Sequence, residues 1–224
     1  MGRAGTLSLM AKRIYKPLIP HFEPIGHLYH DDGGQCLDST TTILKAELDL
    51  YRFGSQAAPV RGTSVHKACQ YHDEQDLDES SLTDEIRAYY KQYVLALAAH
   101  GIKVHANELM RYSKKYGYAG TVDKVVTIDA ANGTLDLKTN GKAITVENWH
   151  KWQTASYDEL IREEFKALYD MPLTKRWTLY LTPTNFRLVE HTGRRDFLEF
   201  LALLAAHNIK INNGYRKRKA EQTD

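Results

Sequence analysis

The stretch GTVDKVVTIDAANGTLDLKT, residues 120–139, decides the fold that this sequence predicts. Its two ends, 120–128 and 134–139, are rich in β-branched and aliphatic residues, and the segment between them contains the Asp, Asn and Gly that favour turns. Side chains alternate along a strand, so Leu135 and Leu137 share one face and can enter a core. The stretch therefore predicts a β-hairpin with one apolar face.

The other face of the hairpin carries a candidate chemical site. Asp136 and Lys138 are two residues apart, so their side chains point in the same direction. If the loop spans four residues, 129–132, Asp123 faces Lys138 across the hairpin. It is then diagonal to Asp136, with Cα atoms ~7–8 Å apart. Because a slip of one residue would turn Asp123 to the opposite face, the prediction depends on the register.

Periodic patterns extend outward from the hairpin in both directions. On its N-terminal side we predict helices over 39–53, from about 62 onward and over 82–99, and a strand over 103–112. On its C-terminal side we predict a helix over 146–168, strands over 177–181 and 186–190, and a helix over 194–209. This order predicts an α/β or α+β domain with a central mixed sheet flanked by helices.

Length and composition are those of one globular domain. The chain has 224 residues, 42% of them hydrophobic, and a formal net charge of only +2, so overall charge does not indicate a nucleic-acid partner. We divide it into an irregular leader (1–36), a catalytic domain (37–212) and a basic tail (213–224). We interpret the basic residues of the tail as a solvated segment without a binding function. No segment has the ~20 apolar residues of a membrane span or a signal-peptide core, which predicts a cytoplasmic protein.

The acids and the lysine suit the hydrolysis of a phosphodiester. Carboxylates hold Mg²⁺ or Mn²⁺, which neutralises the phosphate and activates water, and a protonated lysine stabilises the transition state or orients the water. An acid-x-Lys triplet is weak by itself. Residues 164–166 form a second one, which we interpret as a surface salt-bridge pattern on a helix. On its own, the hairpin would be better explained as an exposed, salt-bridged face.

The order of several short motifs makes the chemical interpretation stronger. GTSVHKA (62–68), Glu108, AGTVDKV (119–125), LDLKT (135–139) and QTASY (153–157) occur in the order seen in RecB-like nucleases of the PD-(D/E)XK superfamily, which this chain resembles over roughly residues 37–190. LDSTTTILKA (37–46) resembles the opening helix of phage-borne members. The resemblance implies a restriction-endonuclease-like core.

The resemblance also implies roles for individual residues. His66, Asp123 and Asp136 would bind Mg²⁺ or Mn²⁺, together with the backbone carbonyl of Leu137. Lys138 would be the catalytic lysine, and Glu108 would assist in placing the metal or the water. Without the acids and the lysine, His66 would be better interpreted as a core histidine.

Two further segments are candidates for contact with the substrate. Gln153 and Tyr157 match a Q-x-x-x-Y motif and share a helix face, although a buried polar–aromatic seam explains them equally well. The segment 111–118 alternates basic and aromatic residues, and its Arg111, Lys114 and Lys115 could hold a phosphate backbone. A solvated basic loop is an equally good interpretation.

These observations predict a metal-dependent deoxyribonuclease. The resemblance implies an exonuclease that acts on DNA ends in recombination or repair, encoded by a phage and working in the cytoplasm of a bacterium or an infected host, with a single-strand annealing or recombination protein as partner. It excludes the iron–sulfur relatives, which need four cysteines where this chain has two. The alternatives are a non-catalytic DNA-binding module or helicase–nuclease subunit, and an RNA-processing nuclease. The oligomeric state stays open.

Overall fold

Three short strands come first in the part of the chain that the structure describes. The structure is a computed structural model and describes residues 15–50 and 57–218. Strands β1 (His21–Glu23), β2 (Leu28–His30) and β3 (Cys36–Leu37) form an antiparallel sheet in the order β1-β2-β3. The predicted irregular leader thus contains regular structure. Strands of two or three residues are too short to show a period of two in the sequence. Residues 1–14 lie outside the described part.

Three helices follow the small sheet: α1 (Thr40–Glu47), α2 (Ala57–Asp73) and α3 (Asp84–His100). Helix α1 is shorter than predicted, and the predicted end at Phe53 lies outside the described residues. Helix α2 begins five residues earlier than predicted because Pro59, which we had interpreted as a breaker, lies in its first turn, where proline is tolerated. Helix α3 matches its prediction, with Thr83 as N-cap and the left-handed Gly101 as C-cap.

A five-stranded mixed sheet forms the centre of the domain. It contains β4 (Lys103–Ser113), β5 (Tyr118–Ile128), β6 (Ala131–Thr139), β7 (Lys175–Leu181) and β8 (Phe186–Glu190), in the order β4-β5-β6-β7-β8. Only the β6–β7 pair is parallel, and helix α4 (His150–Tyr169) makes the crossover between these two strands. Helix α5 (Asp196–Asn212) follows β8. The predicted mixed sheet flanked by helices is confirmed.

Both faces of the large sheet are buried, one against α2 and α3 and the other against α1, α4 and α5. On one face Leu135 and Leu137 pack with Val65 of α2 and Tyr93 of α3. On the other face β5 packs against α4 and α5 through a second cluster that contains Val125, Ile161 and Phe200. The sheet is therefore held rigidly from both sides, which fixes the positions of the polar residues at its margins.

Gly133 allows the parallel pairing of β6 and β7. A Cβ atom at this position would lie 2.0 Å from the backbone oxygen of Lys175, so any other residue would push β7 away.

None of the helices in residues 15–50 and 57–218 has both the length and the apolar character needed to cross a lipid bilayer.

Candidate metal centre

The β5–β6 hairpin has a tighter turn than predicted. Ile128 pairs with Ala131, so the connection contains only Asp129 and Ala130, both with positive φ (49° and 62°), as a type I′ turn requires. The predicted four-residue loop is wrong. When this register is continued by one residue, Asp123 lies opposite Asp136 and not opposite Lys138. The shift is two residues, an even number, and so it preserves the alternation of faces along β6.

Strands β5 and β6 separate where the candidate acids begin. Their regular pairing ends at Lys124 opposite Leu135. Beyond that point the backbone N–H of Leu137 donates to Asp123 Oδ2 at 2.8 Å, so a carboxylate takes the place of the usual carbonyl acceptor. The sheet itself thereby fixes the position of the Asp123 side chain.

His66, Glu108 and Asp123 converge at this separation. One candidate ligand atom from each residue lies within 4.8 Å of the other two, and no other such group of three occurs in the described ranges. Ligand oxygens around an octahedral Mg²⁺ lie about 2.1 Å from the ion, hence up to about 4.2 Å apart. Nδ1 of His66 lies 3.6 Å from Asp123 Oδ2 and 3.8 Å from Glu108 Oε1, which is within that limit, so the donor set fits a small divalent cation.

The orientation of His66 is that of a metal-binding histidine. Its Nε2 donates to the backbone carbonyl of Leu137 at 2.9 Å, which directs Nδ1 toward the acids, 3.6 Å from Asp123 Oδ2 and 3.8 Å from Glu108 Oε1. Metal-bound histidines commonly donate their second ring nitrogen to a carbonyl or carboxylate in this way. The Leu137 carbonyl, which the resemblance implied as a ligand, is here the group that orients His66.

The two acids act on the protonation of His66. Burial disfavours the charged imidazole, but the negative charges of Asp123 and Glu108 outweigh burial and raise the pKa of His66. The acids favour the imidazolium form because it offsets part of the repulsion between two carboxylates in a confined place. A divalent cation would do the same with greater charge.

Asp136 and Lys138 form a second charged unit beside this group. Asp136 is 1% exposed, and the ammonium of Lys138 lies 2.8 Å from its Oδ1 and 2.7 Å from its Oδ2. Burial raises the pKa of Asp136 to about 6; Lys138 opposes this shift, and the charge of Asp123 adds to it. Asp136 is thus paired with the lysine and is not among the three convergent ligands.

Lys138 is held from two sides. Its ammonium lies 5.9 Å from the centroid of the Trp149 ring, within the range of a cation–π contact. The Trp149 indole donates in turn to Glu147, and the neighbouring His150 bonds to the Tyr180 hydroxyl at 2.7 Å. The start of α4 therefore fixes the lysine near the acids.

Glu108 enters the site through a strained backbone. Its φ is 49°, the left-handed region that a residue with a Cβ rarely adopts, at a cost of ~1–2 kcal/mol. It lies in β4, a few residues after an irregularity in pairing between Val104 and Ala106. Strain of this kind accumulates at functional sites, where the surrounding structure enforces it.

Gln153 and Tyr157, the residues of the predicted Q-x-x-x-Y motif, line the same cleft. Gln153 Nε2 donates to the Tyr157 hydroxyl at 2.9 Å, whereas Gln153 Oε1 is buried without a hydrogen-bond partner among the described residues. Burial, followed by the charges of Asp123 and Asp136, raises the pKa of Tyr157, so its phenol stays protonated. Gly120 lets the Tyr157 ring approach β5, since a Cβ there would lie 2.8 Å from it.

The predicted basic contacts do not reach this cleft. Arg111 is buried, and its Nε and Nη2 both donate to the Glu164 carboxylate at 2.6 Å. A guanidinium used in this way inside the domain has a structural role, which corrects its assignment to the substrate. Glu164, which we had interpreted as part of a surface pattern, is buried by the same pair. Lys114 pairs with Asp32 at 3.0 Å and Lys115 lies over its neighbour Tyr116, both exposed on the β4–β5 connection.

The cleft has a wall that the sequence did not predict. The cleft encloses about 920 Å³. Its lining includes the candidate ligands and Lys138. The wall is formed by residues of the β1–β2 hairpin: Phe22, Pro24, His27 and Tyr29. The only sequence signal was the high content of Pro, Gly and aromatic residues in this segment, which indicates irregular structure as readily as a binding surface.

Comparison with known proteins adds little. No family model and no curated protein matches the chain. A solved structure titled "Crystal structure of SSO0001" aligns with 77% of this chain and 85% of its own, at 18% identity and a TM-score of 0.34. Such a low score supports neither a shared fold nor a shared activity, so the functional argument rests on the residues of the cleft.

Proposed function

We propose that this protein is a divalent-metal-dependent nuclease of the PD-(D/E)XK type that hydrolyses phosphodiester bonds of DNA. One observation carries the proposal: His66, Glu108 and Asp123 converge within 4.8 Å of one another beside the Asp136–Lys138 pair, in a cleft of about 920 Å³. Acids that hold a cation next to a lysine that donates to an anion are what a phosphate substrate requires.

The three convergent residues would hold Mg²⁺ or Mn²⁺. Carboxylate oxygens suit both ions, and an imidazole ligand is more usual for transition metals, so we expect Mn²⁺ to bind more tightly than Mg²⁺. When bound, such a cation neutralises the charge of the phosphate and lowers the pKa of a bound water.

The chain's own groups supply the remaining requirements. The Lys138 ammonium contacts Asp136 and can donate to a phosphate oxygen as negative charge develops. Gln153 Oε1, buried without a partner among the described residues, can orient a water or a substrate amine. Leu137 orients both His66 and Asp123 through its carbonyl and its N–H, so these two groups keep their geometry while substrate enters.

The proposal includes the context that the sequence resemblance implied. Action on DNA ends in recombination or repair, a phage origin, a cytoplasmic location, and partnership with a single-strand annealing or recombination protein all belong to it. A DNA-binding module without turnover would need only the cleft, whereas the Asp136–Lys138 pair beside three convergent ligands adds groups that binding alone does not require.

The test is an assay of end-labelled linear DNA, covalently closed circular DNA and RNA of the same sequence, with Mg²⁺ or Mn²⁺ and with a chelator. We expect linear DNA to be degraded with metal only, and the circle to be spared. Lys138→Ala should slow degradation by about 10²–10³-fold, and Lys142→Ala, which changes an exposed lysine four residues further along the chain, should leave it unchanged. Binding of DNA without loss of any substrate would identify a binding module, and loss of RNA alone would identify an RNA-processing enzyme.

A further inference from the structure

The β1–β2 hairpin presents aromatic rings to the cleft that holds the candidate metal centre. Phe22 lies 4.9 Å from His27 and 5.1 Å from Tyr29 between ring centroids, and His27 and Tyr29 are 5.3 Å apart. All three side chains line the cleft. Tyr29 is buried, whereas Phe22 is half-buried and His27 is exposed. The ring faces nearest to solvent are therefore those of Phe22 and His27.

This aromatic wall is fixed to the sheet that carries the acids. The Tyr29 hydroxyl bonds to Thr121 Oγ1 at 2.8 Å, and Thr121 is two residues from Asp123 on β5. Tyr29 also packs in a small core with Leu37 and Tyr112. The distance between the wall and the candidate metal centre is thus set by the fold.

The tip of the hairpin has the features of a binding element. Gly26 and His27 both have positive φ (81° and 53°), and at His27 this conformation is strained because the residue has a Cβ. Ile25, at the centre of the turn, is 91% exposed. An exposed aliphatic residue beside aromatic rings is the combination that proteins insert between, or stack against, nucleic-acid bases.

We propose that this aromatic wall stacks an unpaired base next to the scissile phosphate, and that the substrate is single-stranded DNA or a frayed DNA end. The inference rests on the proposed function and extends it to a substrate class. A cleft of about 920 Å³ has room for a few nucleotides. Aromatic side chains bind any base, so the wall implies no sequence preference.

The charges in the cleft agree with a single strand. Lys138 lies beside the acids and Lys67 is exposed on α2, and both line the cleft, so the phosphates of a bound strand can meet cations there. A base that stacks on Phe22 and a phosphate that contacts Lys138 would be the two ends of the same nucleotide. This arrangement needs the base to be unpaired.

The test compares Phe22→Leu with wild type on a labelled 12-nucleotide single strand and on a duplex with hairpin-closed ends. Leucine keeps apolar packing but has no aromatic face. We expect its dissociation constant for the single strand, measured in EDTA, to rise about tenfold, and its KM in Mg²⁺ to rise similarly with kcat unchanged within about twofold. Phe22→Trp should bind as wild type does. His21→Ala, on the same strand but outside the cleft lining, is the matched control.

The outcomes separate this proposal from the proposed function. Tight binding of the closed duplex, or wild-type affinity in both Phe22→Leu and His27→Ala, overturns the stacking wall even if the enzyme degrades DNA. Binding of the single strand that depends on Phe22, without degradation in any metal, supports the wall and overturns the nuclease. His27 is exposed, so its variant does not depend on core packing, and thermal unfolding verifies that Phe22→Leu is folded.

Discussion

Replacing Asp136 by asparagine should make the metal-free protein more stable and inactive. Asp136 is almost fully buried, and burial raises the pKa of its carboxyl from 3.8 to about 6 even though Lys138 contacts it. Asparagine has nearly the same shape and its amide oxygen can still accept from the Lys138 ammonium. The variant therefore removes the cost of a buried negative charge without leaving a cavity.

The magnitude follows from the two pKa values. A folded pKa of about 6 against an unfolded value of 3.8 means that the folded state binds more protons between these two pH values. The contribution of Asp136 to the free energy of unfolding therefore decreases as pH rises from about 4 to about 6, by ~3 kcal/mol in total. The variant lacks this decrease. At pH 7.5 it should be up to ~3 kcal/mol more stable, or ~6–12 °C in Tm for a chain of this size, and near pH 4 the two should converge.

The assay is urea unfolding of both proteins in EDTA at pH 4.5 and pH 7.5, with DNA degradation in Mg²⁺ measured in parallel. A stability gain at pH 7.5 that shrinks at pH 4.5, together with loss of cleavage, would indicate a residue kept for chemistry at the expense of stability. A variant that is less stable than wild type at pH 7.5, or whose advantage does not change with pH, would refute the reasoning.

Three further predictions test other parts of the account. Lys138→Ala should lower kcat by about 10²–10³-fold because it removes one donor to the transition state, as measured by steady-state kinetics. It should also lower Tm at pH 7.5, as measured by thermal unfolding, because it leaves the buried Asp136 carboxylate without its charged partner. Burial, reinforced by the charge of Lys138, lowers the pKa of His150 to about 2, so this residue should contribute a loss of ~2 kcal/mol in the free energy of unfolding as pH falls from 6.5 to 5. His150→Gln should remove this contribution, and a pH–stability slope equal to that of the wild type would contradict the assignment. Glu164→Ala should lower the free energy of unfolding by ~3–5 kcal/mol because it leaves Arg111 buried and unpaired. Changing both Arg111 and Glu164 to leucine should recover most of this loss, as measured by urea unfolding. A loss under about 1 kcal/mol in Glu164→Ala would show that the pair is not buried in solution.

The sequence predicted the hairpin and its polar residues but not its turn. We had assigned Asn132 and Gly133 to the loop because Asn-Gly is typical of turns. Gly133 instead serves packing, since β7 passes too close for any side chain, and the turn falls on Asp129 and Ala130. A sequence pattern cannot distinguish a glycine required by φ from one required by a neighbouring strand 42 residues away.

The candidate site was predictable as a set of residues and not as a geometry. The motifs named His66, Glu108 and Asp123, yet they did not indicate that β5 and β6 separate or that the Leu137 backbone orients two ligands. Long-range partners were equally hidden: Glu164 repeats the acid-x-Lys pattern of a solvated helix, but its partner Arg111 lies 53 residues earlier. The aromatic wall was missed because β1 and β2 have only three residues each.

The most direct test of the central claim is a crystal structure of the wild-type protein soaked in Mn²⁺, with the ion located by its anomalous signal. The account predicts one principal Mn²⁺ peak between the carboxylates of Asp123 and Glu108 and Nδ1 of His66, at about 2.1–2.2 Å from each, and no peak in a crystal of Asp123→Asn. A principal peak elsewhere, or none at a Mn²⁺ concentration that supports DNA degradation, would contradict it.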